Sequence, residues 1–196
     1  MRQEGAPVPF SFDMSALVRR QVASLYSHLV TRPTGRALRM GIESQIGELG
    51  SACLSVLDFS QVVVLDYSCA DETVAKLLQR FVGPEKPLPV FFVARGLCEQ
   101  HREPIESVLE RHHLALVGET STGACELLGD VTALERAAWD RVERRGVATP
   151  AEVAGDLEVP TAAAEEALRA LGERRLLVRR EEPETFVSLG ALLSAG

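Results

Sequence analysis

Apolar positions along the 196 residues fall into short runs separated by polar and glycine-bearing segments, and the spacing inside each run sets the element it predicts. Residues 7–12 predict a short first strand. Residues 15–30 carry Leu17, Val18, Val22, Leu25 and Leu29 at mostly helical spacing, although residues 24–30 also alternate well enough for a strand. After Pro33 and Thr34, the positions Ala37, Leu38, Ile42 and Ile46 repeat at helical spacing as far as residues 47–50, where glycine can end the helix. Residues 54–65 are a β-branched run interrupted at 58–61, which predicts one buried strand turning into a second, short one. Val74, Leu77, Leu78 and Phe81 mark the next helix, residues 83–89 a loop and residues 90–94 a strand. A helix over 103–113, opened by Pro104, and a strand over 114–117 follow. Helices alternating with short buried strands predict an α/β sheet with helices packed on it.

Residues 118–130 contain Gly118, Ser121, Thr122, Gly123 and Gly129 and have no clear helical period. They divide the chain into a first domain over 1–118, a linker over 119–130 and a second domain over 131–196. The second domain reads as three helices and a hairpin. Thr132 caps a helix in which Leu134, Ala138 and Val142 repeat every four residues, and Gly146 stops it. Thr149 and Pro150 open a short helix with Val153, Ala154 and Leu157, and residues 158–161 form a turn. Ala164, Leu168 and Leu171 face the core from a third helix. Residues 176–178 and 185–189 then flank a polar tip at 179–184 that contains Pro183.

A hydrophobic content of 46% can fill a core, and the length suits one or two small domains. Cys53, Cys69, Cys98 and Cys125 are widely spaced, form no C-x-x-C pair and lie in or beside apolar segments, as reduced core thiols do. No apolar leader follows Arg2, and no run approaches the roughly 18 apolar residues of a membrane span. A cytoplasmic protein is expected. Net charge is -7, with 12 basic against 16 acidic residues up to Asp130 and 9 against 12 after it. Neither part has the clustered Lys and Arg on which non-specific phosphate binding depends.

The chemistry concentrates in residues 57–72, where an apolar run ends in Asp66 and Ser68 just before a helical pattern. Two readings of Ser68 stand side by side. In one it caps the helix, accepting an N–H three residues on, while Asp71 reinforces the first turn. In the other it is a switch. A phosphate there would add about -1.5 to -2 charge at a helix N-terminus, which tolerates an anion, and would repel a partner that brings carboxylates to that helix.

Thr31-Arg32, Gly35-Arg36, Leu38-Arg39, Ile42-Glu43, Leu57-Asp58-Phe59 and Ala70-Asp71-Glu72 together resemble the STAS-like proteins, relatives of the anti-sigma factor antagonists, over about residues 25–117. In anti-sigma factor antagonists a serine after this aspartate is phosphorylated by a kinase that is also the anti-sigma factor. Ser68 matches that serine by position and Asp66 matches the acid before it. The usual Asp-Ser-Ser-Gly is here Asp66-Tyr67-Ser68-Cys69. The resemblance implies a regulatory protein partner, an anti-sigma factor serine kinase, bound through Asp66, Tyr67, Ser68, Asp71 and Glu72.

Residues 131–196 resemble the winged helix-turn-helix domains of bacterial transcription regulators, which implies DNA as the alternative partner. Thr161, Arg169, Arg174, Arg175, Arg179 and Arg180 would be the contacts to bases or phosphates. Glu165, Glu166 and Glu173 on the third helix and Glu181, Glu182 and Glu184 on the wing oppose that reading, and a module for protein contact or dimerisation remains open. Trp139, one residue after the core position Ala138, is a candidate to bridge the two domains or to sit in a homodimer contact. No G-x-S-x-G elbow, phosphate-cradling glycine loop or H-E-x-x-H pair occurs, and the His and Cys residues are too scattered for a standard metal site. The expectation is a non-enzymatic regulatory protein without metal or cofactor and without a membrane segment. It acts through a protein partner or, alternatively, as a DNA-binding regulator.

Overall fold

The computed structural model describes residues 20–194 except 26, 84, 85, 87 and 121, so the expected strand over 7–12 lies outside the described residues. Five strands form the main sheet: β1 (Arg20–Ser24), β3 (Cys53–Asp58), β5 (Val90–Arg95), β6 (Ala115–Glu119) and β7 (Cys125–Gly129), in that spatial order. The first four are parallel and β7 returns antiparallel to β6. Beside them, β2 (His28–Leu29) and β4 (Val64–Leu65) make a separate two-stranded parallel pair.

Alternation along buried parallel strands sends successive side chains to opposite faces. Cys53, Leu57, Val90, Phe92, Ala94, Leu116 and Leu128 belong to one apolar cluster. The same cluster takes Ile42 and Ile46 from α1 (Arg32–Leu49), and Ile105, Val108 and Leu109 from α4 (Glu99–Arg111). Cys69 and Ala70 of α2 (Tyr67–Ala70), Val74 of the single π-helical turn Asp71–Ala75, and Leu77 and Leu78 of α3 (Lys76–Phe81) complete it. On the other side, Leu54, Val56, Phe91, Val93, Ala115, Val117 and Leu127 share a cluster with Ala138, Trp139 and Val142 of α5 (Ala133–Arg145). Leu189 and Leu193 of α8 (Leu189–Ser194) join them.

The remaining C-terminal elements are β8 (Val147–Ala148), α6 (Pro150–Leu157), α7 (Thr161–Glu173), β9 (Leu177–Glu181) and β10 (Glu184–Ser188), with the three strands in the order β8-β10-β9. Two reciprocal caps start the helices. Glu135 N–H donates to Thr132 Oγ1 at 3.1 Å while Thr132 N–H donates to the Glu135 carboxylate at 2.7 Å. Thr149 and Glu152 repeat the arrangement at 3.3 and 2.8 Å.

The architecture is mixed α/β, as expected, and its main sheet is mostly parallel. Three expectations are corrected. Helical spacing over 15–30 gives way, in the described part, to β1 and β2, the latter within the stretch 24–30 whose alternation also allowed a strand; pairing with β3 and β4 satisfies the backbone groups that a helix would have satisfied alone. The linker expected over 119–130 contains β7: Gly123 N–H donates to Thr120 O in the turn before it, and Leu127 and Leu128 are 5% and 3% exposed in opposite faces of the sheet. The helix expected from Pro104 begins at Glu99, with the Cys98 backbone N–H donating to His101 Nδ1 at 3.3 Å. Among the described residues no helix is long and apolar enough to cross a membrane.

Candidate functional site

Asp66, not Ser68, is the N-cap of α2. Its Oδ1 accepts the Ser68 N–H at 2.7 Å and its carbonyl accepts the Ala70 N–H at 2.9 Å. Ser68 therefore lies inside the first turn, half-buried, and the reading in which it caps the helix three residues on is corrected. Hydrogen bonds from the Ser68 hydroxyl and N–H hold the Asp66 carboxyl below the usual carboxylate range. The segment is pinned from behind, since Asp66 N–H donates to Leu29 O at 2.8 Å and Val63 N–H to Ser27 O at 2.8 Å.

The pairing of β2 with β4 turns Leu29 and Leu65 inward, so that His28, Val30, Val64 and Asp66 face out. Val30, Val63, Val64 and Tyr67 are 46%, 59%, 43% and 46% exposed, which places an apolar surface at the same end of the molecule as Ser68. The Tyr67 hydroxyl donates to Glu103 Oε1 of α4 at 2.8 Å.

Asp71 and Glu72, expected to meet a partner, are instead committed to the seam between α1 and the helix that carries Ser68. Glu72 is 3% exposed. Arg32 Nη1 lies 3.0 Å from Asp71 Oδ2 and 3.1 Å from Glu72 Oε1, and Arg39 Nη2 lies 3.5 Å from Glu72 Oε2. Lys76, one turn on, pairs with Glu72 and stands 3.7 Å from Asp71. His112 Nε2 donates to Asp71 Oδ1 at 2.8 Å while its Nδ1 accepts from Gln79 at 3.2 Å. Burial pushes the Asp71 and Glu72 carboxyls up, but these partners outweigh it and hold both below their ordinary ranges. Arg39 also pairs with Glu43 along α1.

Close approach makes the seam possible. A Cβ at Gly35 would stand 3.0 Å from Glu72 Cβ and 3.1 Å from the Cys69 backbone. The Cys69 thiol is fully buried and donates to Thr31 O at 2.9 Å. Residues 31–43 and 69–72, far apart in the chain, thus meet in one contact. Asp58 does not join them: its Oδ1 accepts the Ser60 N–H at 2.9 Å and closes the turn after β3. Lys76 and His112 were not singled out from the sequence. The i,i+4 spacing of Glu72 and Lys76 was the available signal for the first, and nothing local marks the second.

The C-terminal candidates are spread out. Thr161 is the exposed first residue of α7. Arg169 pairs with Glu165 and lies 3.2 Å from Glu184, which Arg179 also holds at 2.8 Å. Arg174 donates to Asp130 O and lies 3.8 Å from Glu135. Arg175 turns under the domain, its guanidinium 5.8 Å from the centre of the Phe91 ring and its Nε buried with no hydrogen-bond partner; as a contact to nucleic acid it is corrected. Arg180 is half-buried opposite Thr185 in the hairpin. The outer face of α7 is a shallow groove of about 520 Å³ lined by Ala162, Glu165, Glu166, Arg169, Ala170 and Glu173. Trp139 is 1% exposed and donates its indole N–H to Leu176 O at 3.3 Å, so a homodimer contact through it is corrected to a core position.

His101 engages both ring nitrogens, Nδ1 with the Cys98 N–H and Nε2 with Val62 O at 3.0 Å, and so leaves none to activate the exposed Cys98 thiol. Among the described residues no three His, Cys, Asp or Glu side chains converge as metal ligands would. No family model matches the chain, and no curated protein matches it.

Proposed function

We propose that the chain is a bacterial, cytoplasmic, non-enzymatic regulatory protein: a STAS-like N-terminal part binds a protein partner at the Ser68 corner, and a winged-helix module follows it. Phosphorylation of Ser68 by a serine kinase of the anti-sigma factor type controls that binding. The observation that carries the reading is the juxtaposition of the half-buried Ser68 in the first turn of α2 with the exposed apolar surface of Val30, Val63, Val64 and Tyr67. Apolar side chains supply the non-directional part of the contact, and a phosphate beside them would add about -1.5 to -2 charge that a carboxylate-bearing partner must desolvate and oppose. The ion-paired seam beneath holds the corner in one shape, so binding can be lost without unfolding.

Wild type, Ser68→Ala and Ser68→Asp are used to capture partners from the native cell, followed by mass spectrometry of the bound proteins and of Ser68. The expected result is a phosphorylated fraction of the wild type and a partner kept by Ser68→Ala but lost by Ser68→Asp. An unmodified Ser68 with the same bound proteins in all three overturns the proposal.

The second reading is a DNA-binding transcription regulator. The order α5, β8, α6, α7, β9, β10 with its hairpin favours it; the carboxylate partners of Arg169 and Arg179 weigh against it. Binding to genomic DNA fragments at two salt concentrations separates the two, because phosphate contacts weaken steeply with salt. No gel shift at low salt removes this reading.

A further inference from the structure

We propose that Arg32 is the residue that receives the Ser68 phosphate, swinging away from Asp71 and Glu72 to pair with it. The inference rests on the proposed switch and assigns its internal counter-charge.

Arg32 is the exposed cation of the seam. Its side chain is 53% exposed, against 38% for Lys76, 26% for His112 and 19% for Arg39. It is also the replaceable one. Without it, Asp71 keeps His112 at 2.8 Å and Lys76 at 3.7 Å, and Glu72 keeps Lys76 and Arg39, the latter at 3.5 Å. Neither buried carboxylate would be stranded, which is the outcome that makes breaking a buried pair costly.

The guanidinium already sits against the segment that holds Ser68. The Cys69 thiol donates to Thr31 O at 2.9 Å, so the residue after Ser68 touches the residue before Arg32. Two residues before Ser68, the Asp66 carboxyl is held low in part by the charge of Arg32. The backbone leading into Arg32 thus touches the residue after the serine, while the Arg32 side chain is bonded to Asp71, three residues past Ser68, and to Glu72. A phosphate carries close to twice the charge of either carboxylate and presents three oxygens to a planar two-pronged donor, the geometry for which arginine is suited. The exchange is non-covalent, with one ion pair formed as another opens. Its consequence is that the modified corner brings a guanidinium over the exposed surface beside Val30, altering the docking face as well as its charge.

The full chain with phosphoserine placed at position 68 during synthesis is titrated by phosphorus NMR, alone and with Arg32→Gln or Arg36→Gln. Arg36, exposed one turn further along α1, is the control. In the otherwise unaltered chain the phosphate is expected to titrate at least roughly 0.5 below the free value of about 6, because an adjacent cation favours the dianion. Arg32→Gln raises it to about 6 or above, because the Asp66 carboxylate beside the serine is then unopposed, and Arg36→Gln leaves it low. Should Arg32→Gln fail to fold, Arg32→Lys keeps the charge without the fork, and its phosphate titrates between the two. A phosphate that titrates alike with and without Arg32, or one that responds to Arg36 instead, overturns the inference. The phosphate is introduced without a kinase, so an unmodified Ser68 in the cell would count against the switch and not against this pairing.

Discussion

The two faces of the five-stranded sheet are covered in different ways. One carries α1, the helix from Tyr67 to Phe81, and α4, each adjacent in the chain to the strands it covers; the other carries α5 and α8, which follow the last strand. Both layers bury the alternating side chains of β3, β5, β6 and β7, while at the β1 edge Val22 stays 49% exposed. The polar groups differ as well. At the edge of the first layer Asp71 and Glu72 are surrounded by several cations, whereas at the second the Glu143 carboxyl has Oε2 buried and unpaired and is hydrogen-bonded with Ser188, Gly190 and Cys125. A carboxylate ringed by several cations can exchange one of them; a carboxyl held by uncharged groups has no cation to exchange.

The strongest break of the comparison is to remove the second layer. A chain ending at Asp130 would bare Leu54, Val56, Phe91, Val93, Ala115, Val117 and Leu127, and it is expected to aggregate or to bind an apolar dye strongly. A monomeric fragment with a cooperative melt and no dye binding would show the first layer to be self-sufficient. Next in size, Trp139→Ala in the second layer should cost about 3–5 kcal/mol and Ile46→Ala in the first about 2–5 kcal/mol. Denaturant unfolding followed by circular dichroism checks both, and each variant should keep a single transition; a second transition in either would separate the layers.

The smallest effect is on pH. Burial raises the Glu143 carboxyl above the ordinary glutamate range, against the hydrogen bonds from Ser188 and Gly190. Folding therefore favours its protonated form, and stability is highest at or below the ordinary glutamate range and falls as pH rises through the folded value. Glu143→Gln should remove that fall, leaving melting temperatures that no longer drop across the window while running parallel to wild type below it. Parallel curves at every pH would show Glu143 to be silent.

Much of the layering was legible in the chain. Ile42 and Ile46 at helical spacing marked α1, and Thr132 as a cap and Thr149-Pro150 as an opening marked the starts of α5 and α6, because such signals are local to the chain. What escaped depends on distant partners. β8 is two residues whose strand character comes from β10, β7 exists through β6, and β1 overrides a helical spacing by pairing with β3. The site divides in the same way. Asp66 and Ser68 stood out at a strand-to-helix turn, but the 39-residue separation of Arg32 from Asp71 hid the ion pair that lies one turn beyond them.

Trp139 is the single tryptophan of the chain and stands in the second layer, dry and hydrogen-bonded to Leu176. Its emission comes from one place only. Water reaching the indole would redden it, so the unmodified protein carries a built-in optical gauge of whether the C-terminal layer lifts from the sheet when a ligand binds at the far corner.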